Sequence, residues 1–345
     1  MGFGCDTNST GPATEGRLQV RYAHAVRFAE RMGMTASIEL NPQRSWNWKI
    51  ATYLFLAGVG SGATFVGSVA HLLSGSFAGL MQAGLWLGIP LVLVGILFLV
   101  LDLGQPARFT KALLKPGTSW ISRGSWILVC FVVVSVILFA LWIWPFTLLQ
   151  EMPSAVAAFE VLIVVFAVGT MAYTGLLLGA SKPIPFWNTP TLPLLFSVSA
   201  IATGLKSSSL LLTLDGLVRG MVPLETTAIL ARYIVIFIAL ETVVLAFHLW
   251  GAGQTDTGKF SSRRVLRDEL AAQFWIGYVA LGLVIPLVAE IAIPSTAATS
   301  EALWILTAST LGLLGAFVLR LTVVSAGAKI PLPTFGGSLV IPENM

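Results

Sequence analysis

The sequence predicts an all-α membrane protein, a polytopic bundle of about eight transmembrane helices with both termini on one side. Three observations predict it. Of 345 residues, 56% are hydrophobic and 10% are charged, where a soluble domain carries roughly 25% charged residues. Mean hydropathy is +0.86. Apolar runs of bilayer length recur along the sequence; about 20 such residues cross the hydrocarbon core as a helix, which satisfies its own backbone in lipid. A soluble enzyme, a disordered chain and a disulfide scaffold are excluded. The pI near 9.2 does not signal nucleic acid, because the basic residues flank apolar spans.

Residues 1–45 form a polar, basic tail without the apolar core of a signal peptide. From Glu15 to Met34 it has an amphipathic pattern. Leu18, Tyr22, Ala25 and Ala29 lie near one face, and Arg17, Arg21, Arg27 and Arg31 ring the other. Such a helix suits anionic lipid or a docking partner. The membrane domain, 46–325, carries spans at 50–73, 79–101, 126–149, 155–180, 189–214, 227–250, 273–293 and 302–324, and 326–345 form a C-terminal tail. Every Lys and Arg except Lys206, Arg219 and Arg232 is assigned to the terminal side, Arg320 and Lys329 among them. Positive residues stay in the cytoplasm, so both termini are expected there, in a prokaryotic cytoplasmic membrane.

Several chemistries are missing. Cys5 and Cys130, the two cysteines, hold neither an iron–sulfur cluster nor a Cys-rich zinc site. Of the three histidines, His24 is in the tail, His71 ends the first span on the far side and His248 ends the sixth on the near side. A core about 30 Å thick keeps the last two from sharing a haem. No Glu-x-x-His pattern marks a carboxylate-bridged metal site, so no metal is expected. Gly58, Gly60 and Gly62 lack the strand–turn–helix setting of a dinucleotide site, and Gly58-xxx-Gly62 reads as close helix packing.

Other chemistry is present. Glu160, Lys206, Arg232, Glu241 and Glu290 fall inside spans, where ionisable residues are costly and candidates for function. They read as an internal salt-bridge network or as a proton or ion path. On the terminal side a second group shares one depth: Lys49 and Tyr53 begin the first span, Asp102 ends the second with Arg108 after it, and Tyr173 and His248 lie near the ends of the fourth and sixth. Tyr, His and Asp can hydrogen-bond the carbonyl oxygens of a quinone or relay its protons, although Tyr and Lys also anchor spans at that depth. The long 102–125 connection holds Gly104 and Pro106, which break helices, and Trp120 and Trp126, which suit the headgroup level; long ordered loops usually bind something.

Three stretches carry a resemblance. Leu101-Asp-Leu-Gly-Gln-Pro-Ala-Arg-Phe109 is similar to an LDLGRPxRF motif, Thr118-Ser-Trp-Ile-Ser-Arg-Gly-Ser-Trp126 to a TSWMSWGSW type, and Trp46 to Ala63 to W-x-x-x-x-YLFLxGxxxGA. Tyr173-Thr-Gly175 resembles a fourth, weaker element. From about Trp46 to Arg320 the sequence resembles the NrfD/PsrC family, the membrane subunits of polysulfide-reductase-type complexes. The resemblance implies a chain without a resident haem or cluster that binds quinone or menaquinone. It implies a four-cluster ferredoxin-like iron–sulfur partner on the same face, and beyond it a catalytic subunit, often of molybdopterin type. It puts Lys49, Tyr53 and Tyr173 at quinone-contacting positions and Asp102 in the loop motif; Tyr53 stands where some members have histidine. Many members face this side outward, whereas the charges here put it in the cytoplasm, and the charges are followed. A secondary transporter with a buried ionisable site is the alternative reading, with a purely structural anchor as a third.

Overall fold

The computed structural model describes residues 41–43, 46–102, 120–142, 153–181, 183–292 and 298–329. The segment 15–34, Arg108 with residues 103–119, and residues 330–345 lie outside them.

Eight helices long and apolar enough to cross a membrane are present among the described residues. They are α1 (Trp48–Leu73), α2 (Ala78–Asp102), α3 (Trp120–Trp142), α4 (Pro153–Gly179), α5 (Thr191–Arg219) and α6 (Leu224–Ala252). A short amphipathic helix, α7 (Asp256–Leu266), follows. The seventh span joins α8 (Gln273–Val284), wound with wide π-type turns, to α9 (Ile285–Ala292), and α10 (Ala298–Ala326) is the eighth. None of these spans breaks at mid-depth, so the half-helices of a carrier site do not occur among the described residues.

Two expectations about connections are corrected. Residues 251–272 contain α7, whose Thr255 caps its start by accepting from Gly258 N at 3.1 Å. Helix α3 begins at Trp120, so the end of the Thr118–Trp126 motif is helix and not loop. Hydropathy missed this because Ser122 and Ser125 are polar; both are buried inside the bundle.

Helices α1 and α5 are buried over most of their length. Small residues allow it. A Cβ at Gly62 would overlap the Ala200 backbone of α5, and one at Gly204 the Gly62 backbone. Thr64 Oγ1 of α1 donates to its own Gly60 carbonyl at 3.0 Å and to Gly84 O of α2 at 3.1 Å. Backbone-to-backbone approach of this kind drives association where lipid supplies no hydrophobic contrast. Gly204→Val is therefore expected to cost about 1–3 kcal/mol or more by overpacking, read as a lower unfolding midpoint in detergent micelles; an unchanged midpoint contradicts the crossing.

The first span starts and the last ends on one face of the bundle, here the near face. Gln43 N donates to Gly327 O at 2.9 Å, and its side-chain amide donates to Val324 O at 2.9 Å and Trp46 O at 2.8 Å. Trp187, 0% exposed, in the α4–α5 connection, donates its indole N–H to Val323 O at 2.8 Å and packs against Trp46.

Candidate functional site

Four helices build a polar group toward the near face. Tyr53 of α1 and Tyr173 of α4 are 0% and 1% exposed, and they are close enough that the charge on one would be felt by the other. Neither hydroxyl has a hydrogen-bond partner among the described residues. Glycines shape the surroundings. A Cβ on Gly95 of α2 would lie 3.5 Å from the Tyr53 ring, and one on Gly124 of α3 would overlap the Tyr173 ring. One turn nearer the face, Asp102 at the end of α2 lies against Lys49 and Asn47. Asn47 Oδ1 caps α1 by accepting from Lys49 N at 2.9 Å.

An unsatisfied buried hydroxyl costs about 1–3 kcal/mol. Two of them side by side, each able to donate and to accept, fit a ligand that brings carbonyl oxygens. The Asp102–Lys49 pair, half-buried, adds groups that hold and release protons beside them.

His248 of α6 packs against the α4–α5 connection. It is 0% exposed and pinned by the α4–α5 connection: Nδ1 is 3.1 Å from Thr189 Oγ1 and 3.0 Å from Thr191 Oγ1, and Phe186 meets its ring edge-on. Its Nε2 is buried without a partner among the described residues.

The charges inside the spans separate into two sets. Lys206 of α5, Glu241 of α6 and Glu290 of α9 come together, with Glu241 and Glu290 acting on Lys206. The Lys206 stem crosses Gly312 of α10, where a Cβ would sit 2.7 Å from its Cδ. Glu160 belongs elsewhere: its Oε1 is 2.7 Å from His71 Nδ1, pairing α4 with α1 at the far face. Arg232 is exposed on the outer side of α6, two turns in, where its long stem can carry the charge toward the interface.

Sequence reasoning missed two members of the first set. Arg320, assigned to the terminal side, is 1% exposed inside α10. Its Nη1 donates to Ser199 Oγ at 2.8 Å and Ala316 O at 3.0 Å, and its guanidinium lies 5.5 Å from the Phe196 ring centre. Gly58 makes room for it, since a Cβ there would lie 3.2 Å from Nη2. Tyr278, in the widened turns of α8, donates to Glu241 Oε1 at 3.1 Å; such turns are frequent at functional sites. Apolar residues on both sides of Arg320 were the available signal. Tyr278 had none. The ladder thus runs from Arg320 and Ser199 through Tyr278 and Glu241 to Lys206 and Glu290.

The sequence is similar to those of known proteins. The protein is 30% identical to the C subunit of polysulfide reductase from Wolinella succinogenes, over 85% of its own length and 98% of that subunit. It is 29% identical to the protein NrfD of Escherichia coli, over 82% of its own length and 94% of the relative. A homologue of NrfD from Haemophilus influenzae is 26% identical, over 83% of the present protein and 95% of the homologue. The model of the family "Polysulphide reductase, NrfD" matches residues 36–331, which include the tyrosine pair, the ladder and the described membrane spans, and on that extent of agreement the chain belongs to the NrfD family.

Proposed function

We propose that this protein is the membrane subunit of an oxidoreductase complex and exchanges electrons between the membrane quinone pool, menaquinone included, and an iron–sulfur partner. The relatives' names support the first part: one is the C subunit of a polysulfide reductase. The observation that carries the second is the pair of buried phenols, Tyr53 and Tyr173, with unpartnered hydroxyls among the described residues. In this reading the two hydroxyls hold the carbonyl oxygens of the quinone ring, which itself supplies the two-electron chemistry. Asp102 and Lys49 hold and pass protons at the membrane face.

The partner reading follows from the same face. A four-cluster ferredoxin-like subunit would dock there and relay electrons to a catalytic subunit, of molybdopterin type where the relay serves such an enzyme. Lys259, Arg263 and Arg267 of the α7 region are exposed, the first two paired with Asp256 and Asp268, and a surplus of basic residues favours acidic partners. The positive-inside bias puts this face in the cytoplasm. The ladder of α5, α6, α8, α9 and α10 would serve as a proton path, with Arg232 outside it.

The complex purified from native membranes tests the reading. Asp102→Ala is expected to cut quinol-linked turnover on the order of a hundredfold and to leave artificial-dye reduction by the partner subunits intact. Equal quinol rates in variant and wild type reject Asp102 as part of the site. Purification without any cluster-bearing subunit, with activity as a lone carrier, rejects the whole reading.

A further inference from the structure

The ladder does not use the ion pair at the far face. His71 and Glu160 join α1 to α4, the same two helices that carry Tyr53 and Tyr173. The Glu160 side chain is 2% exposed and the His71 side chain 18%, so the carboxylate is enclosed and the imidazole opens outward. Along α1, Tyr53, Ser61, Thr64, Ser68 and His71 recur at helical spacing and fall within one arc of the helix surface. Ser61, Thr64 and Ser68 are each at most 1% exposed, and so is Thr170 on α4. Ser68 Oγ and Thr170 Oγ1 have no hydrogen-bond partner among the described residues. Hydroxyls both donate and accept, and Ser68 stands one turn from His71, about 5 Å along the axis.

We infer that His71 and Glu160 form a proton-exchange site at the face opposite the tyrosine pair. The step is a simple transfer. A proton taken up by the imidazole passes from Nδ1 to Glu160 Oε1, leaving a neutral imidazole and a carboxylic acid, and no electron moves. Inward, the hydroxyl-bearing side of α1 points toward Tyr53, but Ser61 and Thr64 already donate to the Ala57 and Gly60 carbonyls and Ser61 stands about 12 Å along the axis from Tyr53, so the transfer ends at Glu160. The site is independent of the ladder. Among the described residues His71 is the titratable group that faces Glu160, at 2.7 Å. Of the helices packed on α1, α2 turns the Gly84 carbonyl toward the stripe. Of the charges of α5 and α10, Lys206 and Arg320 belong to the ladder, Asp215 and Arg219 at the far end of α5 pair with each other at 2.8 Å and Glu301 lies in the first turn of α10, and Arg320 meets α1 at Gly58, on a different side. That protons exchanged here serve a quinone would rest on the proposed function; the exchange site itself does not.

The full-length protein is reconstituted in liposomes, and its orientation is fixed by access of an impermeant maleimide to Cys5. The probe is the proton alone. A pH step is applied to one face at a time, and the infrared band of a protonated carboxyl is followed. An acid step at the far face is expected to raise a band that Glu160→Gln removes and that His71→Asn delays about a hundredfold; an acid step at the near face raises it far more slowly. A band that survives Glu160→Gln, a rate unchanged in His71→Asn, or a response to near-face acid alone overturns the site. Glu160→Asp, which keeps the acid, is expected to keep a shifted band and covers the case in which the glutamine variant fails to fold. Quenching of tryptophan fluorescence by menadione is measured in the same preparations. It is expected to be unchanged in His71→Asn and Glu160→Gln and lost in Tyr53→Phe. If Tyr53→Phe keeps it, the quinone reading fails and the exchange site stands.

Discussion

Tyr53→Phe is expected to remove quinol-linked turnover from the assembled complex while dye-linked activity of its partners survives. The substitution takes away one oxygen. The ring remains, so the packing against Gly95 is kept. The hydroxyl is buried and without a partner among the described residues, so its loss removes a desolvation penalty and no internal bond. Stability should be equal or slightly higher. In the proposed reading what is lost is a donor at a quinone oxygen, worth on the order of 10²–10⁴-fold in rate when it acts in proton transfer. The split between a lost quinol rate and an unmoved unfolding midpoint separates a role in chemistry from a role in packing. Tyr173→Phe should behave alike. If the two hydroxyls hold one ligand, the double variant should fall well short of the product of the single effects, because residues sharing a partner do not act additively. Normal quinol rates in both single variants reject the tyrosine pair as the site.

How far this arrangement is legible in the sequence depends on whether a signal is local. The eight spans are legible because bilayer thickness sets a length that few other structures imitate. Tyr53 and Tyr173 stand out through the motifs around them, and their shared depth follows from alternating helix direction. The rest depends on which helices become neighbours. Nothing in the first span says that His71 will meet Glu160, 89 residues away in sequence. Arg320 counts with the terminal-side cations in the sequence because it lies near the end of the eighth span, yet Gly58, Ser199 and Phe196, on two other helices, form its berth. Tyr278 has an ordinary apolar setting in sequence, and only the widened turns of α8 and the approach of α6 make it a partner of Glu241. Arg232 shows the converse: a charge within an apolar run was read as internal, and the rotation of α6 turns it outward. The start of α3 is misplaced in sequence because hydropathy averages over Ser122, Gly124 and Ser125, of which Gly124 makes room for the Tyr173 ring of α4.

Lys206→Met is expected to be the most destabilising of the polar substitutions. The lysine is 1% exposed, and its charge is balanced by Glu241 and Glu290. Methionine fills nearly the same space over Gly312, so the loss is electrostatic. Glu241 keeps the Tyr278 hydroxyl, at 3.1 Å, and the nearby Arg320 charge. Glu290 has no such reserve: one of its oxygens is already without a partner among the described residues. Removing one partner of a buried ion pair costs about 3–5 kcal/mol, because the other charge stays desolvated. A drop of that size in the unfolding free energy, measured in mixed detergent micelles, is the expected result. Glu290→Gln alone should cost less, since Lys206 retains Glu241. The double variant Lys206→Met/Glu290→Gln should then be more stable than Lys206→Met, with a coupling of about 0.5–3 kcal/mol. If the double variant is no more stable than the single one, Lys206 and Glu290 do not neutralise each other, and the ladder ends at Glu241. Gly312→Ala gives a geometric check on the same side chain. Its new methyl would lie 2.7 Å from Lys206 Cδ and 3.0 Å from Nζ, so the stem must shift. The ion pair should weaken without any charge being removed, which gives a smaller loss in the same direction.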